Sequence, residues 1–164
     1  RTLVIGSMSK SHAMTGSRIG WVVGPEHMIE HLTNLATHTT YGVPGYIQDA
    51  AVFALAQGAP LEPEVGAPFA RRRALAKSLL ARQNTVGLVP SGGAMYLMLD
   101  IRATGLTCEA FAQSLLDTHN IAVMPGRSFG EAAEGHIRVA MTVDDDAFGA
   151  ALQTILNHAQ KLST

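Results

Sequence analysis

Short apolar runs and amphipathic stretches alternate along this chain, a pattern that predicts a mixed α/β protein. Thr2 to Gly6 and Ile19 to Val23 are brief apolar runs bounded by glycines and Pro25, as expected of two buried strands flanking a loop. From Pro25 to Ala36, the residues Met28, Ile29, Leu32 and Leu35 recur near the i, i+3, i+4, i+7 spacing, which predicts a helix opening on Pro and Glu. Pro44 to Ala56 begins the same way and stops at Gly58, a residue suited to closing a helix. The Thr-rich stretch between the two, Thr37 to Gly42, reads as loop.

Gly58 to Pro68 holds three Pro and two Gly, the sharpest change of composition in the chain. It is the expected boundary between two lobes, residues 1–60 and 61–164. A long helix is predicted next, through Phe69, Leu75, Leu79 and Leu80 to about Asn84, with Arg71, Arg72 and Arg73 solvated. A turn at Ser91, Gly92 and Gly93 leads into a strand over Met95 to Ile101, and Thr107 caps a helix with Glu109 in its first turn. Ile121 to Met124 and Ile137 to Met141 are two more predicted strands. Asp144, Asp145 and Asp146 open the last helix, where negative charge suits the helix dipole. The second lobe is therefore expected to be a βαββα unit, helices layered on a mainly antiparallel sheet.

Composition narrows the function classes. With 47% hydrophobic and 15% charged residues in 164, the chain can bury a real core. The formal net charge is -1 and the longest basic run is Arg71 to Arg73, so no nucleic-acid partner is implied. A single Cys108 excludes an internal disulfide and a cysteine-rich metal site and suits a reducing compartment, so a cytoplasmic location is expected. The seven His show neither H-x3-H nor HExxH spacing, so no metal is implied. No apolar run approaches the ~20 residues that span a bilayer, and no signal-peptide zones open the chain. It begins with Arg1 and enters a strand at once, and it is expected to be a piece of a longer protein whose other part supplies that strand's neighbours.

Candidate chemistry gathers in the loop between the first two strands, where Ser7, Ser9, Lys10, Gly16, Arg18 and Gly20 converge. A phosphate loop GxxxxGK[ST] ending at Lys10 and Ser11 would need glycines where Val4 and Ser9 stand. An S-x-x-K hydrolase box fits Ser7 to Lys10 but has no S-D-N or K-T-G partner in the chain. The pattern S-x-S-K-x5-G-x-R-x-G instead resembles the cofactor-lysine signature of class I and II aminotransferases, the fold-type-I pyridoxal-phosphate enzymes. That resemblance implies pyridoxal 5'-phosphate as cofactor, with Lys10 as the catalytic lysine that carries it. The attacking amine must be neutral, a state that desolvation and the nearby charge of Arg18 favour. The planar fork of Arg18 matches the cofactor phosphate, with hydrogen bonds from Ser7 and Ser9. Gly16 and Gly20 are expected to let backbone approach that group closely.

The resemblance continues through most of the chain. Pro90 to Tyr96, with Gly92 and Gly93, is similar to the family's glycine turn before a small-domain strand. Pro125, Gly126, Phe129 and Gly130 resemble its P-G-x-x-F-G element, and Gly135 to Arg138 its G-x-[IV]-R segment. In the family that arginine binds the substrate α-carboxylate, so Arg138 is the implied substrate-binding residue. Thr40 and Tyr41 fall in the loop that reaches toward the neighbouring subunit's cofactor phosphate, and a homodimer is implied. His12 lies beside the cofactor loop, where contact with the cofactor ring or the partner subunit and a packing role are both open, and Tyr96 is read as core.

By this resemblance the fold is α/β, the C-terminal part of a fold-type-I transferase: the end of the large domain, then an α+β small domain. The implied activity is amino-acid transamination to a 2-oxo acid, and the likeness extends to bacterial arginine–pyruvate transaminases. The chain alone is expected to be inactive, because the family's aspartate under the pyridinium nitrogen lies upstream of Lys10. Two alternatives keep the same lysine: an aminotransferase-like effector domain of a transcription regulator, and a fold-type-I lyase or decarboxylase.

Overall fold

The computed structural model describes residues 2–58 and 61–163, and the chain divides into two compact units, Arg1–Ala67 and Pro68–Thr164. In the first, β1 (Val4–Ser7) pairs antiparallel with β2 (Gly20–Val23), from Val4 opposite Val23 to Ser7 opposite Gly20. The sequence predicts buried strands here, yet Val4 is 56% and Ile5 78% exposed, and Val22 and Val23 are exposed too. The reason is that no third strand among the described residues joins this ribbon, and two strands alone cannot cover their own faces. Between them lies a single helical turn, α1 (Met8–Ser11), whose Met8 is wholly buried.

Two longer helices follow in this unit. α2 (Glu26–Thr39) runs past the expected end at Ala36 and takes in Thr37 to Thr39, which the sequence reads as loop. Its threonine hydroxyls donate to carbonyls four residues back, Thr33 to Ile29, Thr37 to Thr33 and Thr39 to Leu35, so these side chains accept helical geometry with their polar groups satisfied. α3 (Gly45–Gln57) ends at Gly58, whose φ of 52° meets the expectation of a glycine stop.

α4 (Leu61–Leu80) corrects two expectations. It begins inside the Pro/Gly-rich stretch and carries Pro68 within it, where the missing N–H removes one ladder bond. Pro63 falls in the first turn, where backbone N–H groups have no helical partner to lose. Ala59 and Pro60, around the expected lobe boundary, lie outside the described residues. The helix also stops short of Asn84. There Gln83 turns the chain: its Oε1 accepts from the amides of Thr85 and Val86, and its Nε2 donates to the carbonyls of Leu80 and Val86.

The second unit then runs β3 (Gly87–Leu88), β4 (Tyr96–Asp100), α5 (Cys108–His119), β5 (Met124–Pro125), β6 (His136–Ala140) and α6 (Asp145–Leu162). The expected βαββα order is present, with β3 added at an edge, and the four strands lie in the order β3-β4-β6-β5, all antiparallel. The strand expected at Ile121 to Met124 shrinks to two residues because Ile121 and Val123 pack onto the core instead of pairing. Alternation sets the sheet's faces: Leu97, Leu99, Ile137 and Val139 point to the core, and Tyr96, Met98, Arg138 and Ala140 to the other side. On the core side, Phe111 and Leu115 of α5 meet Phe148, Leu152 and Ile155 of α6 at helical spacing. Thr107 caps α5 as expected, and Asp144, expected among the residues opening the last helix, is the cap of α6; each accepts a backbone N–H from three residues on.

The arginine triplet is solvated only at Arg71. Arg72 is 12% exposed and donates to Asp145 Oδ1 at 2.7 Å and to the Met141 carbonyl at 2.8 Å, while Arg73 donates to the Ala94 carbonyl. These bonds tie α4 to the start of α6 and to the turn before β4. Hydrogen bonds from Arg71 and then Arg72 hold the Asp145 carboxyl below the usual carboxylate range. No helix among the described residues is long and apolar enough to cross a membrane.

The packing yields a direct test. Leu152, 1% exposed between the helices, should lose ~2–5 kcal/mol of stability on Leu152→Ala in urea denaturation. Leu162→Ala, at the exposed end of the same helix, should fall within about 0.5 kcal/mol of the parent.

Candidate functional site

In the first unit the loop residues are placed by β1, α1 and β2. Ser7 ends β1 and caps α1, its Oγ accepting from the Ser9 amide at 3.1 Å and lying 3.0 Å from the Ser9 Oγ. Lys10 sits in α1 with its side chain exposed. Met8 anchors the turn from below, its amide bonded to the Ile19 carbonyl, and its own carbonyl accepts from the amides of His12 and Met14. Arg18 adopts φ 52° after a turn of 3-10 helix at Thr15–Ser17 and donates from Nη1 to the Thr15 carbonyl at 3.0 Å. Ser7, Ser9, Lys10 and Arg18 thus lie in one segment, and no acidic side chain pairs with Lys10 or Arg18 among the described residues.

The two glycines of this loop have different surroundings. A Cβ on Gly20 would lie 2.5 Å from the Gly6 carbonyl oxygen, so glycine there answers the paired strand. Gly16 faces open space. His12 is buried at 8% exposure with its Nδ1 2.8 Å from the Ser11 hydroxyl, in keeping with packing. Tyr41 follows α2 with φ 61° and is 89% exposed, and Thr40 closes that helix.

Arg138 belongs to the second unit, on the sheet face turned away from the core. It stands opposite Met98 of β4 and Met124 of β5. Its guanidinium carbon lies 4.2 Å from the ring centre of Tyr96 and 4.3 Å from that of Phe129. Tyr96 is therefore not a core residue: its parity on β4 turns it to the open face, where it meets Arg138. Sequence reasoning quoted Phe129 within a motif but gave it no role; the aromatic character shared by two separate motifs was the available signal. With Ala122, Val123, Met124 and Ala140, Arg138 lines a cavity of about 160 Å³.

Two other polar groups shape this unit. Asp100, ending β4, takes bonds from Arg102 at Nε and Nη2, which together with the Arg102 amide lower its carboxyl to about 2. Cys108, Glu109 and Glu134 bring ligand-type atoms within 4.8 Å of one another. The buried thiol donates to both carboxylates and Arg127 pairs with Glu134, so these contacts read as internal hydrogen bonding.

Residues 1–155 match the family model described as aminotransferase class I and II. The arginine–pyruvate transaminase of Pseudomonas aeruginosa is 43% identical over 162 residues, covering 99% of this chain and 41% of that protein. An aspartate aminotransferase of Pyrococcus abyssi is 35% identical over 144 residues, covering 85% and 36%. Among solved structures, an aromatic aminotransferase from Pyrococcus horikoshii aligns with a TM-score of 0.91 at 31% identity, over 99% of this chain and 44% of that one. The α/β fold of a fold-type-I transferase therefore extends over the whole chain, which spans about two fifths of the length of these curated relatives.

Asp100 makes acid stability a measurable property of this unit. A carboxyl lowered from 3.8 to about 2 adds stability that is fully present above its unfolded value and is lost as pH falls from 3.8 through 2. Asp100→Asn should remove that dependence, so stability measured between pH 4 and 2 should fall less steeply in the variant than in the parent.

Proposed function

This chain belongs to the aminotransferase class I and II family, and on that premise we propose that it is the C-terminal part of a pyridoxal-phosphate-dependent amino-acid aminotransferase. Residues 1–60 would end the large cofactor domain and 61–164 form the small one. The observation that carries the reading is the single short segment holding an exposed lysine, two paired hydroxyls and an arginine that has no acidic partner among the described residues. That donor set fits a phosphorylated aldehyde: the phosphate needs hydrogen-bond donors and positive charge, and the aldehyde needs a reachable amine.

When bound, pyridoxal phosphate supplies an electron sink for the charge left as a proton departs the substrate Cα. The protein's own groups divide the remaining work. Arg18, with Ser7 and Ser9, holds the phosphate and so fixes the cofactor's position. Lys10 carries the cofactor between turnovers, and its Nζ takes the substrate Cα proton as general base. Arg138 reads the substrate α-carboxylate by paired N–H bonds. The 43% identity to an arginine–pyruvate transaminase supports arginine as amino donor and pyruvate as acceptor. A homodimer in the cytoplasm is the proposed working form.

Two experiments on the full-length protein test this assignment. Borohydride reduction after loading with pyridoxal phosphate should trap the cofactor on Lys10, and a peptide map placing it on another lysine refutes the role. The full-length protein should convert arginine with pyruvate to a keto acid, whereas ammonia release would indicate a lyase and residues 1–164 alone should be inactive.

The two arginines should separate by phenotype. Arg18→Ala should lower cofactor content, while Arg138→Ala keeps it and weakens substrate by ~2–5 kcal/mol, read as a loss in kcat/KM. Equal behaviour of the two variants would contradict the division of roles.

A further inference from the structure

We propose that Tyr96 and Phe129 are positioning residues that flank the Arg138 guanidinium and leave its N–H edge free for a substrate carboxylate. The proposal rests on the reading of Arg138 as the carboxylate-binding residue. It assigns a purpose to three separate motifs, the glycine turn ending at Tyr96, the P-G-x-x-F-G element and the segment ending at Arg138.

The geometry is built from backbone outward. Because β4 and β6 pair with Met98 opposite Arg138, Tyr96 is the diagonal neighbour of Arg138 on the same face, within reach of an aromatic ring. Phe129 arrives at the end of a 3-10 turn, Gly126–Phe129, that follows β5. That turn is possible only with glycines. A Cβ on Gly126 would run into the carbonyl oxygens of Ala133 and His136, and Gly130 takes φ 117° immediately after Phe129. The ring so delivered is 48% exposed, so burial does not account for its place. What it covers is the guanidinium, at 4.3 Å.

The way this cation is held differs from its neighbours. Arg71 and Arg72 pair with Asp145, Arg102 with Asp100, and Arg127 with Glu134. Arg138 has no acidic partner among the described residues and is held by rings. An aromatic face attracts the charge without occupying any N–H donor, so the side chain is ordered while its fork stays open. A carboxylate then meets a guanidinium whose rotamer freedom is already spent, and the rings keep water from its faces. A counter-ion in their place would compete with the substrate.

The experiment uses the full-length protein loaded with cofactor. Phe129→Leu and Tyr96→Leu should each raise KM for the amino acid roughly tenfold with a smaller effect on kcat, while Phe129→Tyr and Tyr96→Phe stay within about twofold of the parent. Binding of propanoate, followed by calorimetry against propanamide, should weaken in the Leu variants for the acid only. In an Arg138→Ala background the Leu changes should add nothing, since the group they position is gone. If Arg138→Ala raises KM but the Leu variants do not, the flanking role is overturned and the carboxylate reading stands. If Arg138→Ala itself leaves KM and propanoate binding unchanged, the carboxylate reading falls instead. Equal losses with and without Arg138 would show a merely structural role and overturn the proposal; Phe129→Leu, at a half-exposed site, gives this answer even where Tyr96→Leu fails to fold.

Discussion

Five consecutive residue pairs join β4 to β6, from Tyr96 opposite Ala140 to Asp100 opposite His136, and the chemistry of the second unit hangs on that register. It places Leu97 and Leu99 beside Val139 and Ile137 on the face covered by α5 and α6. The same register sets Arg138 and Tyr96 on the opposite face. A slip of one residue would drive the guanidinium into a core with no counter-charge and expose its apolar neighbours, a change opposed by both desolvation and lost burial. The position of a proposed substrate-binding charge is thus enforced by side chains that never approach it.

The first unit reaches its order by other means. Its two-stranded ribbon leaves Val4, Ile5, Val22 and Val23 open, so little apolar burial holds the loop between the strands. Backbone bonds and the buried Met8 and His12 do that instead: Met8 is enclosed, and its amide and carbonyl are both engaged within the loop. Ser7 serves double duty as the helix cap and as one of two linked hydroxyls. This arrangement exposes Lys10 on a defined turn, which suits an amine that must be reached by a small molecule.

Charge is distributed with the same economy. Oxygen acceptors hold the arginines that fasten elements together, the Asp145 carboxylate for α4 and α6 and the Ala94 carbonyl for Arg73. The arginine proposed to bind substrate is held by Tyr96 and Phe129, which leave its donors unspent. The contrast follows from what each contact consumes: an ion pair uses N–H groups, and a ring face uses none.

The sequence alone determined a good deal. Helix caps at Thr107 and Asp144, the stop at Gly58, the βαββα order and the Ser7-to-Gly20 pattern are local matters, set by propensity, capping and spacing within one turn or strand. Tertiary structure decided the rest. Pro63, Gly66 and Pro68 look like a break, yet they lie in α4; Thr37 and Thr39 look like loop residues, yet their hydroxyls find helical carbonyls. Arg72 and Arg73 look solvated until Asp145, Met141 and Ala94, distant in sequence, supply their partners. Tyr96 looks apolar enough for the core, and only the pairing of β4 with β6 assigns it to the other face beside Arg138. The physical reason is common to all of these: a residue's face and partners are fixed by segments that the local pattern does not contain.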